Sequence, residues 1–219
     1  MRERCTKVAQ ARPAGLQKPE KIDIFLTGIG GQGVLLASEI IGAAGLSAGY
    51  DVKKSEVHGM SQRGGSVTSC VRLGKPARVR PRASDPALWT ARASARRPPE
   101  RPGKVHSPLI ERGSADVLIS LHPEEGRRYR GYLTRGGFFL EAPPDIVKKL
   151  KNPRTLNIVA VGMLSAHLGI PEKIWMDAIA ASVPAKHLEE NKEAFLIGKG
   201  LQARGGGPTL RKEIGGRKQ

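Results

Sequence analysis

Residues 22–49 decide the fold, and they read IDIFLTGIGGQGVLLASEIIGAAGLSAG. The first six residues form a short apolar run of the kind found in buried strands. After a glycine-rich turn, apolar residues recur at helical spacing from Val34 to Leu46, and Gly49 marks the end of that helix. A strand, a glycine turn and a helix in this order predict the first unit of an α/β fold.

The rest of the chain continues this pattern. Apolar runs predict further strands over residues 51–57, 66–73, 115–121 and 138–142, and a polar helix over 123–133. From residue 156 onward the chain is helical in character, with helices predicted over 157–170, 171–183 and 184–198. The prediction is a Rossmann-like α/β fold with a mainly parallel sheet, flanking helices and a helical C-terminal part.

The positive charge is concentrated in three segments, although the formal net charge of the whole chain is +17. Residues 1–21, 75–103 and 199–219 contribute +15 of it, and prolines, glycines and arginines are also concentrated there. We expect a flexible basic head over 1–21, a disordered Arg/Pro-rich insertion over 75–103 and a flexible basic tail over 199–219. A single domain then spans 22–198. Because this body is nearly neutral, nucleic acid is an improbable partner.

Composition excludes several classes of protein. Cys5 and Cys70 lie far apart without a CxxC motif, so we expect neither a disulfide scaffold nor a metal site in this chain. The longest apolar stretch, residues 33–49, is too short and too polar to span a membrane. The charged first 21 residues contain no apolar core of a secretory signal. These features predict a cytoplasmic protein that does not bind membranes.

The glycine turn is the first candidate site. Gly28, Gly30 and Gly33 match G-x-G-x-x-G between a predicted strand and a predicted helix, where backbone amides can approach a phosphate. Glu56 could supply the carboxylate that a dinucleotide's ribose requires about 20 residues further on. A tight turn that serves only helix–strand packing explains the same glycines equally well.

A second polar cluster follows the next predicted strand, over residues 58–65, HGMSQRGG. Arg63 could present its planar guanidinium to a phosphate or a carboxylate, and His58 could act as an acid or base or as a turn residue. Both clusters should emerge at the carboxyl edge of a parallel sheet, so a shared site is expected. We find no candidate catalytic residues: no Ser-His-Asp set, metal-ligand cluster or carboxylate pair stands out.

Together the two clusters, TGIGGQGVLLASEIIGAAGLSAG and SEVHGMSQRGGSVTSCVRLG, resemble the gamma subunit or domain of 2-oxoacid:acceptor (ferredoxin) oxidoreductases. Indolepyruvate:ferredoxin oxidoreductases are the most similar branch. Residues 22–74, 104–142 and 152–200 carry the resemblance. In two places the chain departs from the family: the 75–103 insertion, and a shortened stretch after Ala142 that implies a missing sheet element.

The resemblance implies a subunit that is inactive alone and takes part in oxidative decarboxylation of a 2-oxoacid, such as indolepyruvate or another aryl pyruvate. The products would be an acyl-CoA, CO2 and reduced ferredoxin. A larger partner subunit would hold thiamine diphosphate and 4Fe–4S clusters, with coenzyme A as co-substrate. The residues expected to face that partner or the coenzyme are Gly28, Gly30, Gly31, Gln32, Gly33, Ser61, Gln62, Arg63, Gly64 and Gly65.

Two other functions remain open from the residues themselves. A freestanding oxidoreductase would bind NAD(P) or a flavin at the glycine turn of the isolated chain, as the fold class allows. A nucleic-acid-binding protein would use the basic segments, and its affinity would fall steeply with salt.

Overall fold

The computed structural model describes residues 21–58, 64–74 and 105–203. Residues 1–20 of the predicted head, the 75–103 insertion and most of the predicted tail lie outside these ranges, whereas Lys21 is the first residue of a strand. The described strands are β1 (Lys21–Ile29), β2 (Asp51–His58), β3 (Ser66–Gly74), β4 (Ala115–Ser120) and β5 (Leu133–Glu141). The α-helices are α1 (Val34–Ser47), α2 (Pro123–Tyr129), α3 (Leu156–Ser165), α4 (Glu172–Ser182) and α5 (Leu188–Ala203). Short 3-10 turns are Arg130–Tyr132, Pro144–Lys149, Pro153–Thr155 and Ala185–His187.

The α/β prediction is confirmed, but the sheet is mixed. Its strand order is β2-β3-β1-β4-β5, with β1–β4 and β4–β5 parallel and with β3 antiparallel to both β1 and β2. Only seven residues separate His58 from Ser66, whereas a crossover between parallel strands needs a dozen or more. This short connection requires β3 to run back along β2, so one strand of the predicted sheet is antiparallel while the other four described strands run in the same direction.

Helices α1 and α3 pack on one face of the sheet, and α4 and α5 pack on these two helices, so that the four helices and the sheet enclose the main core. The helix α1 has Gly33 as its N-cap residue and ends in a Schellman motif, in which Tyr50 N donates to Gly45 O and Gly49 N to Leu46 O. Gly49 adopts a φ of +85°, so the predicted helix stop is confirmed. The C-terminal helix α5 continues to Ala203, five residues beyond the boundary predicted at 198.

The other face of the sheet is covered by residues 105–114 and by α2. A smaller core there contains Phe25, Cys70, Ile110, Ala115 and Leu118. The ring of Phe25 stacks on Tyr132 at 4.4 Å between centroids and contacts Tyr129 at 5.5 Å. This second core holds residues 105–114 against the sheet. The chain therefore lies on the surface of the sheet again from residue 105 onward.

A buried ion pair fastens the same face. Asp23 is 2% exposed, and its Oδ1 accepts a hydrogen bond from Arg72 Nε at 2.9 Å while its Oδ2 accepts from Arg72 Nη2 at 3.1 Å. Arg72 also donates from Nη1 to the carbonyl oxygens of Ser107 and Leu109. One guanidinium therefore joins β1, β3 and the returning segment.

The strand β5 is longer than predicted. It begins at Leu133, five residues before the predicted start at 138, and its pairing with β4 shifts register between Ala115 and Val117. Arg135, Gly136 and Gly137 interrupt the apolar pattern there, and Gly136 adopts a φ of +88°. Bulged glycines of this kind hide a strand from pattern analysis.

Candidate functional site

The glycine loop, residues 28–33, leaves β1 at the edge of the sheet where a ligand site is predicted. The strands β1, β2, β4 and β5 direct their carboxyl ends to this edge, and β3 begins there because it runs the opposite way. After β1 the chain continues to β2 on one side, and after β4 it continues to β5 on the other. The loop therefore lies at the topological switch point, where open α/β sheets bind ligands.

Gln32 closes the glycine loop from within. Its side-chain Oε1 accepts the backbone N–H of Ile29 at 2.8 Å, and its own backbone N donates to Ile29 O at 3.1 Å. The turn between them places Gly31 at φ +97°, and a Cβ built on Gly31 meets nothing within 4 Å. Gly31 is thus the open apex of the loop, while the carbonyl oxygen of the Gln32 side chain is committed to the turn.

The two predicted clusters come together at the edge. Gly30 N donates to Gly65 O at 2.8 Å, and Ile29 and Ser66 are partners in the β1–β3 register. Gly64, with φ +78°, has open space around its Cα. Ser61, Gln62 and Arg63 lie outside the described residues, so the predicted ligand contacts of their side chains remain predictions.

Gly28 and Gly33 are explained by packing. A Cβ on Gly28 would lie 2.9 Å from both Gln32 Oε1 and Val34 Cγ2, and 3.1 Å from Leu121 Cβ. A Cβ on Gly33, which adopts φ +78°, would lie 2.4 Å from Nδ2 of Asn157. Both glycines allow close approach inside the protein, and a ligand contact at either position remains a prediction.

Sequence reasoning missed Asn157, which contacts the glycine loop from α3. Its Nδ2 donates to Gly33 O at 3.1 Å. Asn157 is 2% exposed and is followed by a nearly continuous apolar stretch. A single amide at the start of an apolar helix could have marked Asn157 as a special position. Its partner could not be predicted, because Gly33 is 124 positions away in the chain.

Glu56 does not sit where a dinucleotide's ribose would require it. In a Rossmann fold the second strand lies beside the first, whereas here β3 separates β2 from β1. Two strand spacings put Glu56 about 10 Å to the side of β1. Its Oε1 forms an ion pair with Lys54 Nζ at 2.7 Å instead, so the topology argues against a nicotinamide or flavin dinucleotide at the loop.

Two further polar residues, His122 and Glu141, lie at the same edge, where the parallel strands β4 and β5 end. Burial raises the pKa of Glu141, although the positive charges of Arg127 and Arg130 and the nearby His122 partly oppose this rise. His122 precedes α2, and its buried Nδ1 has no hydrogen-bond partner among the described residues. Their positions directly after apolar runs were the sequence signal that could have found them.

The described residues hold no evident cofactor ligands of their own. Within residues 21–58, 64–74 and 105–203, no group of three or more His, Cys, Asp or Glu side chains is placed to hold a metal ion. Cys70 is buried in the second core, and that burial raises the pKa of its thiol. In the same ranges no helix has the length and apolar character needed to cross a membrane.

Comparison with known proteins adds a family. A sequence profile described as pyruvate ferredoxin/flavodoxin oxidoreductase matches residues 23–96 and 101–201. The chain is 32% identical to the indolepyruvate oxidoreductase subunit IorB of Thermococcus kodakarensis, over 82% of this chain and 95% of that protein.

Two solved structures share the fold. The gamma subunit of a keto/oxoacid ferredoxin oxidoreductase from Geobacter sulfurreducens is 23% identical with a TM-score of 0.56, covering 81% of this chain and 95% of that one. A 2-oxoglutarate:ferredoxin oxidoreductase from Magnetococcus marinus, solved with 2-oxoglutarate, coenzyme A and succinyl-CoA, is 20% identical with a TM-score of 0.62. That match covers 85% of this chain but 32% of the larger one. At these identities the two structures support the architecture alone.

Proposed function

The chain belongs to the pyruvate ferredoxin/flavodoxin oxidoreductase family, and on that premise we propose that it is the small, gamma-type subunit of a 2-oxoacid:ferredoxin oxidoreductase. The resemblance carried by the two glycine-flanked motifs is thereby confirmed at the level of the family. The reaction of the complex is oxidative decarboxylation of a 2-oxoacid to an acyl-CoA and CO2, with ferredoxin reduced.

One observation carries this proposal: the two loops join at Gly30 and Gly65 to form an exposed edge, and the described residues around it include no catalytic set. The apex at Gly31 is open, and no acidic residue lies in the first turn of α1. An exposed edge of this kind suits a surface that completes a site together with another chain. The glycine loop and residues 58–65 would then face the active site of a larger subunit or the path of coenzyme A.

Exposed apolar side chains beside the loops support a protein partner. Leu35, in the first turn of α1, is 38% exposed, and Val57, near the end of β2, is 62% exposed. Both residues lie at the carboxyl edge of the sheet with the glycine loop. Exposed apolar side chains next to polar residues are a feature of many interaction sites when they form one patch, and a partner that covers the glycine-loop edge would bury both of these side chains.

The cofactors of the reaction are assigned to the larger subunit. Thiamine diphosphate would supply the carbanion chemistry of decarboxylation there, and 4Fe–4S clusters would pass the electrons to ferredoxin. Fe–S clusters need cysteine thiolates, and Cys70, the cysteine in the described ranges, is buried in the second core. Contacts from Gly30, Gly31, Gln32, Ser61, Gln62 and Arg63 to the partner or to coenzyme A are this chain's proposed contribution.

Indolepyruvate or another aryl pyruvate is the proposed substrate. The argument is the likeness to a protein named as an indolepyruvate oxidoreductase subunit, at 32% identity over nearly its whole length. A pocket for the substrate's side chain would lie mostly in the larger subunit. Activity of the assembled enzyme toward indolepyruvate, phenylpyruvate, pyruvate and 2-oxoglutarate would decide the assignment.

The first test is to purify the tagged chain from its source under anaerobic conditions and identify what accompanies it. We expect a larger subunit that contains thiamine diphosphate and iron, and turnover of a 2-oxoacid that requires coenzyme A. A chain that arrives alone, or that binds a nicotinamide or flavin cofactor by itself, would overturn the proposal.

Two matched variants of α1 test which surface meets the partner. Leu35→Glu places a charge on the exposed apolar rim while favouring the helix N-terminus, and we expect it to reduce the co-purified larger subunit at least about tenfold. Leu46→Glu is the control, because Leu46 is 62% exposed at the opposite end of the same helix. Equal loss of the larger subunit in both variants would show that the glycine-loop edge is not the interface.

A further inference from the structure

The glycine loop is fastened to the core by the carboxamide of Asn157. This residue lies in the first turn of α3, where its Oδ1 accepts the backbone N–H of Ile158 at 2.9 Å. Its Nδ2 donates to Gly33 O at 3.1 Å, and the same oxygen accepts the first helical bond of α1 from Ala37 N at 3.0 Å. One side chain therefore connects the starting points of two helices.

The surroundings keep that carboxamide in place. Asn157 is buried within a helix whose residues 157–165 are all buried, and an unsatisfied buried amide costs about 1–3 kcal/mol. Gly33 presents only its Cα to the amide, because a Cβ there would lie 2.4 Å from Nδ2. Glycine at position 33 and asparagine at position 157 are thus fitted to each other.

Gly33 is the joint between α1 and the closed turn. On one side of it, Gln32 holds the turn together through Ile29; on the other side, α1 packs on the sheet and on α3. The carbonyl group of Gly33 is the part of this joint that Asn157 holds. The placement of Gly31 relative to the adjoining loop at Gly65 consequently depends on a residue that itself lies in the core.

We infer that Asn157 is a positioning residue for the glycine loop: by holding Gly33, it sets the geometry with which the loop meets coenzyme A. The identity of the ligand rests on the proposed function, whereas the contact itself does not. Asn157 is too deeply buried to touch a ligand. Its loss should therefore weaken coenzyme A binding without changing the chemistry of the 2-oxoacid.

The test uses the full chain in complex with its larger subunit, with coenzyme A varied at saturating 2-oxoacid. We expect Asn157→Leu, which keeps the branched shape of the side chain but removes both hydrogen bonds, to raise the KM for coenzyme A about tenfold. The kcat and the KM for the 2-oxoacid should stay within about twofold of the wild-type values.

Ser165→Ala is the matched control on the same helix. Ser165 is also buried, and its hydroxyl donates to Gly162 O at 2.6 Å, far along α3 from the loop. This variant loses one buried hydrogen bond and should lose stability, but its KM for coenzyme A should not change. A KM that rises equally in both variants, or in neither, would overturn the inference.

Hydrogen–deuterium exchange separates this inference from the proposed function. The backbone amides of residues 28–36 should exchange faster in Asn157→Leu than in Ser165→Ala, whether or not the complex uses coenzyme A. If the wild-type complex turns over without coenzyme A, the proposed function fails while faster exchange still supports the positioning role. Equal exchange in the two variants would contradict the positioning role in either case.

Discussion

Asp23 is a buried carboxylate whose negative charge is compensated by two basic side chains. Arg72 binds both of its oxygens, and Lys21 Nζ lies 2.9 Å from Oδ2. The backbone N–H of Asp23 donates to Asp116 Oδ2 at 2.8 Å, and burial raises the pKa of the Asp116 carboxyl group. The Asp23–Arg72 ion pair therefore lies in a buried region, where a charge without a partner would destabilise the fold.

Neutralising Asp23 should lower the stability of the fold. Asp23→Asn leaves the Arg72 guanidinium without its counter-charge, and breaking a buried pair in this way costs about 3 kcal/mol. We expect a lower midpoint of denaturant unfolding with an unchanged slope. Asp145→Asn is the control, since its exposed pair with Lys149 at 3.6 Å should contribute close to nothing. An Asp23→Asn variant as stable as this control would show that Arg72 finds other compensation.

At the residue scale the sequence revealed positions but not contacts. The glycines of residues 28–33 were predicted to form a loop at the sheet edge, and they do. The ligand contact expected of Gln32 remains a prediction, whereas the hydrogen bond by which its Oε1 closes the turn on Ile29 was not predicted. Asn157 was not predicted because its partner depends on how α3 packs, which no local pattern records.

At the scale of elements, the apolar runs predicted each strand among the described residues, but not the direction of β3 or the start of β5. The antiparallel direction of β3 follows from the connection of only seven residues between β2 and β3. The length of this connection could have predicted the direction, whereas the apolar pattern of the strand could not. The early start of β5 was hidden by two adjacent glycines at its bulge. The sequence-predicted shortage of a sheet element after Ala142 remains a prediction.

Helices α3 and α5 approach each other closely at two glycines, one on each helix. A Cβ on Gly162 would lie 2.1 Å from Phe195 O, and a Cβ on Gly198 would lie 2.0 Å from Val159 O. Backbone meets backbone here, so no side chain can move aside. The packing of α3, and with it the position of Asn157, depends on these two residues.

We expect Gly162→Ala to force α3 and α5 apart and to destabilise the chain by about 2–3 kcal/mol. Gly200→Ala is the control on α5, because its Cβ would meet nothing within 4 Å. In a helix interior that control should be neutral or up to about 1 kcal/mol stabilising. Thermal unfolding of the two variants measures the difference, and similar melting temperatures would contradict the close packing of α3 on α5.

At the scale of the whole molecule, Asp51 lies beside both the last residue of β3 and Val105, where the chain returns to the surface of the sheet. Asp51 pairs with Gly74 in the β2–β3 register, and its Oδ2 accepts the backbone N–H of Val105 at 2.9 Å. Both ends of the 75–103 segment are therefore attached near one residue. They lie at the end of β3 opposite to the glycine-loop edge.

Replacing residues 75–103 by Gly-Ser-Gly should leave assembly with the larger subunit intact, because three residues and Lys104 span up to about 13 Å. Co-purification of the larger subunit is the measurement. A full-length variant in which the seven arginines of this segment become glutamine separates the effect of charge from that of length. Loss of the larger subunit in the shortened chain would assign the segment a role in assembly.

The shared anchor at Asp51 also makes the molecule tolerant of length at this point. When both ends of a loop are held by the folded body, its closure entropy grows only with the logarithm of its length, so each doubling costs about 0.6 kcal/mol. For the flexible insertion that the sequence predicts over 75–103, we therefore expect changes of length between Gly74 and Val105 to cost little stability. The same junction is a natural graft point, where a reporter domain with adjacent termini could be inserted without disturbing the opposite edge of the sheet.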